Sequence, residues 1–374
     1  MHTSNMDQDI NVSLTSKQTR HVKPGLHLQQ TAYWGRLKKQ QGRQARAFDI
    51  EAGKNNPCTG DMLVIIRSIG PGSCMAYVPF GPELLPEGVR RGPWLEKLSE
   101  ELRPGLAENC VFIRYDLPWQ SPWVNEPDRY TPDNHWKGAP KARVQEMRMN
   151  FDTEHWNLRK APTDLLPPDT VMVDVRPDRD RILARMKPKT RYNIRLSAKK
   201  GVRVYDAGIE GLPAWYELYR QTAARHGMSL NDRDYFESVF SVRNRDVDSP
   251  ANVHLLLAEA GGKPLAGIIL AISGTRATYL YGASSWEHKN MMAPYAVQWE
   301  AISLARKMGC REYDLFGVSP VPDPSHPMYG LYRFKTGFGG FMLHRHGCWD
   351  YPLDEDAYEV YRTSEMTGNS FLER

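Results

Sequence analysis

The sequence predicts an α/β (α+β) protein of two tandem lobes with mixed sheets. Three observations predict it: a length of 374 residues, a composition suited to buried cores, and a strand-helix order that is clear in the second half and fainter in the first. Compact domains commonly hold about 100 to 200 residues, so the length fits two. Apolar residues make up 41% and charged residues 25%, which excludes a disordered chain as the default and fits a solvated globular enzyme. Lysine and arginine exceed acids by 49 to 44, a formal charge of +5 that says little unless it is concentrated.

Residues 1–25 lack periodic apolar positions and are expected to form a loose arm. The first lobe is expected over 26–166. It opens with a short helix at 31–39. Strands at 62–69 and 75–79 then flank a Gly70-Pro71-Gly72 turn, as in a hairpin. A helix at 94–102 and a buried strand at 110–115 follow. Over 117–150 prolines and tryptophans replace periodicity, which predicts an irregular loop packed down by Trp119, Trp123 and Trp136.

The second lobe is expected over 167–346. A strand at 171–175 precedes a basic helix that ends at Gly201, a residue suited to a helix C-terminus. Pro213 starts the next helix, Trp215, Leu218 and Tyr219 give it an apolar stripe, and Gly227 closes it. A meander of strands at 253–260, 265–273 and 277–283 turns at Gly261-Gly262 and Gly274-Thr275. Val297, Ala301, Leu304, Ala305 and Met308 then mark a helix, and a strand at 312–316 follows. Helix, helix, antiparallel meander, helix, strand is the order of the N-acyltransferase (GNAT-like) fold. Residues 347–374 form a tail long enough to pack back onto the first lobe.

Five cysteines without a CxxC pair indicate neither a disulfide framework nor a four-cysteine metal site, and fit a reducing cytosol. No apolar run approaches the roughly 20 residues that span a bilayer, and the N-terminal 25 residues carry no signal-like stretch, so a cytoplasmic location is expected. His344, His346 and Cys348 would share one face of a strand, but nothing suggests a fourth ligand, and no metal is expected.

Coenzyme A enzymes of this fold hold the pyrophosphate on a glycine-rich turn at a helix N-terminus. The corresponding stretch, His288-Lys289-Asn290-Met291-Met292-Ala293-Pro294, has no glycine, and Pro294 lacks an N–H. Every charged residue from Arg185 to Arg203 is basic, a candidate surface for RNA phosphates or an anionic membrane. Around Lys335, glycines and aromatics alternate through Gly330-Leu331-Tyr332-Arg333-Phe334-Lys335-Thr336-Gly337-Phe338-Gly339-Gly340, which fixes the lysine near the lobe junction.

Three clusters carry a family resemblance: Lys189-Thr190-Arg191-Tyr192-Asn193-Ile194-Arg195 with Lys199-Lys200-Gly201-Val202; Tyr313-Asp314-Leu315-Phe316-Gly317; and Gly330-Leu331 with Phe334-Lys335 and Gly337-Phe338-Gly339-Gly340. Trp34 with Lys38, and Val78-Pro79-Phe80-Gly81-Pro82-Glu83, add to them. On these residues the chain resembles the FemABX peptidyltransferases. The resemblance implies two GNAT-like lobes, no metal or organic cofactor, and transfer of an amino acid from aminoacyl-tRNA to a side-chain amine of a nucleotide- or lipid-linked muramyl-pentapeptide. It also implies that Lys335 stabilises the oxyanion or the leaving ribose oxygen, and that Lys38, Arg225, Tyr281 and Trp34 bind the precursor. Lys189, Arg191, Arg195, Lys199 and Lys200 are the expected tRNA or anion contacts. Asp314 is weighed as a base for the amine and set aside, because an aspartate ending a strand commonly satisfies backbone donors. The segment 187–202 has room only for one short helix, so no coiled-coil arm is expected. Two rival readings remain at this point: an acyl-coenzyme A-dependent transferase and a non-enzymatic RNA-binding module.

Overall fold

The computed structural model describes residues 11–53, 57–227, 229–242 and 244–368. In chain order the first lobe contains β1 (Val12–Lys17), α1 (Ala32–Gln40), β2 (Gln44–Ala52), β3 (Cys58–Gly70), β4 (Ser73–Val78), α2 (Arg91–Leu102), β5 (Cys110–Gln120), α3 (Ala142–Met149) and β6 (Arg159–Lys160). The second contains β7 (Asp169–Asp174), α4 (Arg179–Arg185), α5 (Pro188–Lys199), β8 (Arg203–Asp206), α6 (Leu212–His226), α7 (Arg233–Ser241), β9 (Asn252–Ala260), β10 (Lys263–Ser273), β11 (Arg276–Ser284), α8 (Ala293–Lys307), β12 (Glu312–Gly317) and α9 (Tyr329–Lys335). The chain finishes with β13 (Phe341–Pro352) and α10 (Glu355–Met366).

Hydrogen-bonded neighbours run β1-β2-β3-β4-β5-β13-β7-β12-β11-β10-β9-β8, with β6 against β13. Each lobe has an antiparallel meander, a helix, and a strand returning parallel to the last meander strand. These are β2-β3-β4, α2 and β5 in the first lobe, and β9-β10-β11, α8 and β12 in the second. The two sheets are joined by β13, whose residues 341–344 pair with β7 and whose residues 345–352 pair with β5. A bulge opposite Arg345–Gly347, with the extra residue on β5 between Leu117 and Gln120 and Gly347 at φ 69°, lets one strand serve two twisted sheets.

Helices α1, α6, α7 and α10 bury their apolar sides in one core that crosses the lobe boundary. On the other face of the second sheet, α4, α5 and α8 enclose a separate core, and α2 covers the far face of the first sheet. At about 25 cal/mol per Å² of buried apolar surface, a shared core holds the lobes together more firmly than a polar linker could.

Three expectations are corrected. Residues 11–25 are not a loose arm: β1 pairs along β2, Val12 is buried, and Lys17 Nζ reaches Asp49 at 2.8 Å and Asp61 at 2.5 Å. Backbone pairing and ion pairs replace the apolar period that the segment lacks. The rest of that expectation, 1–10, lies outside the described residues, as do 369–374 of the tail. The basic helix is a single one, α5, but an unexpected helix, α4, precedes it, and Pro188, which begins α5, has no N–H with which to continue α4. Finally, 117–150 is less irregular than expected, holding the end of β5, two 3₁₀ turns and α3. No described helix is long and apolar enough to cross a membrane.

Candidate active site

Strands β11 and β12 pair only at residues 276–278 and 312–314, and then part. Beyond that point the carbonyls of Phe316 and Gly317 need a partner that the sheet does not supply. Lys335 supplies it from the end of α9: Nζ donates to Gly317 O at 2.6 Å and to Phe316 O at 3.2 Å. The same ammonium lies 5.1 Å from the Tyr279 ring centroid. Only 4% of Lys335 is exposed, and burial pushes its ammonium down to about 7, with Asp314 opposing the shift.

Asp314 is fixed on every side. Its Oδ1 accepts from Thr170 Oγ1 at 2.5 Å and Phe316 N at 2.8 Å, and its Oδ2 accepts from Arg345 Nη2 at 3.2 Å. Burial alone would raise its carboxyl, but Arg345, the Thr170 hydroxyl and Arg276 hold it below the ordinary carboxylate range. A carboxylate so engaged positions backbone and counters cations, and is a poor base. The Arg345 guanidinium lies 4.6 Å from the Phe80 ring centroid, and its Nε and Nη1 have no acceptor among the described residues. Phe80 in turn meets Phe316 edge-on, with centroids 6.2 Å apart. Both phenylalanines are left-handed, with φ of 43° and 59°, a conformation costing on the order of 1 to 2 kcal/mol outside glycine. The two strained residues, one from each lobe, meet at the lobe junction, next to the Phe316 carbonyl that Lys335 binds.

A bulge at Leu280 shifts the β10–β11 register, so Tyr279 and Tyr281 face opposite sides of the sheet. Tyr279 looks toward Lys335 and α8, while Tyr281 joins the core shared with α1, α6 and α7. On that second side the Tyr281 hydroxyl lies 2.6 Å from the Tyr235 hydroxyl. Lys38 Nζ stands 5.5 Å from the Tyr235 centroid and 4.7 Å from that of Trp34, and donates to Gln41 Oε1 at 2.8 Å. Burial, with Arg67 and Arg43 nearby, pushes Lys38 down to about 8. Trp34, Lys38 and Tyr281 are therefore one cluster, linked by Tyr235. Arg225 stands apart at the end of β11, donating to Ser284 O at 3.2 Å, with its guanidinium 5.7 Å from the Trp286 centroid.

On the Lys335 side, α5 is tied to the segment that follows the lysine. Lys187 N donates to Gly337 O at 2.9 Å, and Lys187 Nζ to Thr336 Oγ1 at 3.1 Å. A Cβ at Gly337 would meet Thr190 Oγ1 at 2.3 Å, so only glycine permits this approach. Lys189, Arg195 and Lys199 point outward with Tyr192 among them, at helical spacing. The other two expected contacts are engaged internally: Arg191 donates to Ala184 O and Met186 O, closing α4, and Lys200 Nζ donates to Asn290 O at 2.8 Å.

His344 pairs with Asp169 at 2.6 Å and stacks on Trp136, while His346 contacts Arg91. The bulge at Gly347 breaks the alternation that would have aligned them with Cys348, and no metal-holding cluster occurs among the described residues. At the start of α8, Met292 O accepts from Tyr295 N and Ala296 N, so the chain's own carbonyl occupies donors that a pyrophosphate would need.

Tyr235, Arg345 and Thr170 escaped sequence reasoning. Tyr235 lies on a helix without strong sequence punctuation, and Arg345 reaches Asp314 from 31 residues away. The one available signal was the recurring Phe-Gly pair, at Phe80-Gly81, Phe316-Gly317 and Phe338-Gly339, the first two of which meet beside Arg345.

Against known proteins, the model of the FemAB family matches residues 19–244 and 249–365. The lipid II:glycine glycyltransferase of Staphylococcus haemolyticus (strain JCSC1435) is 24% identical over 254 residues, covering 52% of this chain and 61% of that protein. Its namesake in Staphylococcus aureus (strain USA300) is 24% identical over 256 residues, with coverages of 52% and 61%. The chain thus spans about three fifths of the length of these curated relatives. The crystal structure of FemX superposes with a TM-score of 0.70 at 19% identity, over 92% of this chain and 96% of that one, which shows the shared fold.

Proposed function

The chain belongs to the FemAB family, and on that premise we propose that it transfers an amino acid from aminoacyl-tRNA to the side-chain amine of a peptidoglycan precursor's stem peptide. The observation that carries this reading is Lys335 Nζ, buried in the opening between β11 and β12. One side of that opening adjoins the basic helix α5, and the other side of the sheet carries Lys38 and Tyr281. A donor bearing RNA phosphates and an acceptor bearing a diphosphate could then approach from opposite faces.

The reaction itself is downhill. The neutral amine attacks the ester carbonyl carbon, a C–N bond forms, the bond to the 3′-terminal ribose oxygen breaks, and the amine's proton passes through water to that oxygen, which leaves as a hydroxyl. What the protein adds is alignment and stabilisation of the negative charge that develops on oxygen. Lys335, in its charged form, has a third N–H for that oxygen beyond the two donated to carbonyls. Lys38 and Arg225 supply cations for the precursor's diphosphate and carboxylates, and Tyr281 a hydroxyl for its peptide. The relatives' name, lipid II:glycine glycyltransferase, favours glycine as the donor amino acid and a lipid-linked acceptor. A lipid-linked acceptor would bring the enzyme to the cytoplasmic surface of the membrane, where basic side chains meet anionic headgroups.

The test is transfer of radiolabelled amino acids from a mixed charged-tRNA pool to nucleotide- and lipid-linked muramyl-pentapeptide, with acyl-coenzyme A as the competing donor. Labelled precursor that needs both charged tRNA and Lys335 is the expected result. Transfer from acyl-coenzyme A alone would overturn it.

A further inference from the structure

The segment expected to be a loose arm builds a second cationic site away from Lys38. Helix α1 turns Trp34 and Lys38 toward Tyr235, while Arg36 and Lys39, one turn apart, look outward. There they line a cleft with β1, the turn Thr19–His21 and β2. Lys17, Arg20, Arg36, Lys39 and Arg46 all reach this cleft, and no described lining residue is acidic. Lys17 is answered by Asp49 and Asp61. Among the described residues the remaining four have no carboxylate partner: Lys39 Nζ donates to Thr19 Oγ1 at 2.9 Å, Arg46 to Gly105 O, Arg20 Nε to the His21 ring at 3.1 Å, and Arg36 is exposed. Cations converging on one cleft repel each other, a cost that a bound anion would remove.

We propose that this cleft is a binding site for a phosphate-bearing anion, distinct from the acceptor site at Lys38. Its arginines can each offer a phosphate two parallel N–H donors, and Lys39 adds a point charge. Phe48 and Val247 also line the cleft, giving it apolar walls that limit competition from water. The ligand is either a free oligophosphate or a lipid phosphate headgroup, since both present the same chemistry to the cleft.

The experiment uses the full chain carrying Lys38→Ala, so that the junction site is silent. Isothermal titration with inorganic pyrophosphate and cosedimentation with phosphatidylglycerol vesicles are compared before and after adding Arg36→Gln and Lys39→Gln. The expected result is binding of at least one probe that weakens at least about a hundredfold on the double substitution, the scale of losing two charge-assisted hydrogen bonds. Pyrophosphate binding identifies a free oligophosphate, and vesicle binding alone identifies a headgroup. Independently of any variant, the bound probe should protect Lys39 of the wild-type protein from acetylation, read by mass spectrometry. Binding of both probes unchanged by the double substitution, or no protection of Lys39, would overturn the proposal.

Discussion

The two lobes share an order of elements but finish their parallel strand pairs differently. In the first, β4 and β5 stay in register through Val78 and Tyr115, and the chain then seals the gap itself, Gly81 N donating to Asp116 O at 3.0 Å. In the second, pairing stops at Thr278 and Asp314, and the gap is filled by a lysine from another element. A gap closed by backbone has no donor to spare, whereas one closed by an ammonium keeps a third N–H and a titratable charge. Under the proposed function, only the second lobe offers chemistry at its opening, and the first serves as wall and clamp through Phe80 and Lys38.

Removing the lysine should break this contrast most severely. Lys335→Ala is expected to lower the transfer rate by about 10² to 10³-fold, the scale of losing one oxyanion donor, as measured by single-turnover transfer. A companion measurement concerns stability. Between about pH 7 and the ordinary 10.5, the unfolded chain holds a proton on Lys335 that the folded one releases. Lys335 therefore adds stability as pH rises across that window, and the rise should shrink in the denaturation profile of Lys335→Met to the part that Lys38 contributes above about 8.

The next effect tests the first lobe's contribution. Lys38→Ala should raise the KM for precursor by about 10 to 100-fold, the range for a lost hydrogen bond to a charged group, and affect kcat much less. Because Lys38 is charged only below about 8, precursor binding to the wild type should weaken as pH rises through 8. Lys38→Arg should flatten that dependence in a titration from pH 6 to 9.

The sealed gap should respond differently. A Cβ at Gly81 would meet Gln30 Nε2 at 2.7 Å and Val78 Cγ1 at 2.9 Å, so Gly81→Ala should cost roughly 1 to 3 kcal/mol in urea unfolding. If kcat falls as far as it does in Lys335→Ala, the division of labour between the lobes is wrong. The smallest effects belong to the outward cations of α5. Replacing Lys189, Arg195 or Lys199 singly by alanine should lower the slope of log affinity for tRNA against log salt by about one each. Arg191→Ala, whose guanidinium closes α4, should instead act on stability.

The fold's legibility followed from local signals. The second-lobe meander was readable because Gly261-Gly262 and Gly274 punctuate strands of continuous apolar residues, and α8 because its apolar stripe is flanked by Pro294 and Gly309. β1 and β2 were missed because their pairing is satisfied by backbone and ion pairs rather than by a long apolar run. Lys335 stood out because glycines and aromatics crowd around it. Tyr235 and Arg345 did not, since neither sits in a patterned segment.

By itself the sequence determined the class of fold, the position of the lysine-bearing segment and the placement of basic charge on a helix, all of which depend on neighbours within a few turns of chain. Tertiary structure decided which cations face which side. A single bulge at Leu280 sends Tyr279 to Lys335 and Tyr281 to Lys38's cluster, and a single residue's step around α1 separates Lys38 from Lys39, which lines the cleft. Those assignments rest on register and splay between strands far apart in sequence, and hydrogen bonds across such distances form only once both sheets are in place.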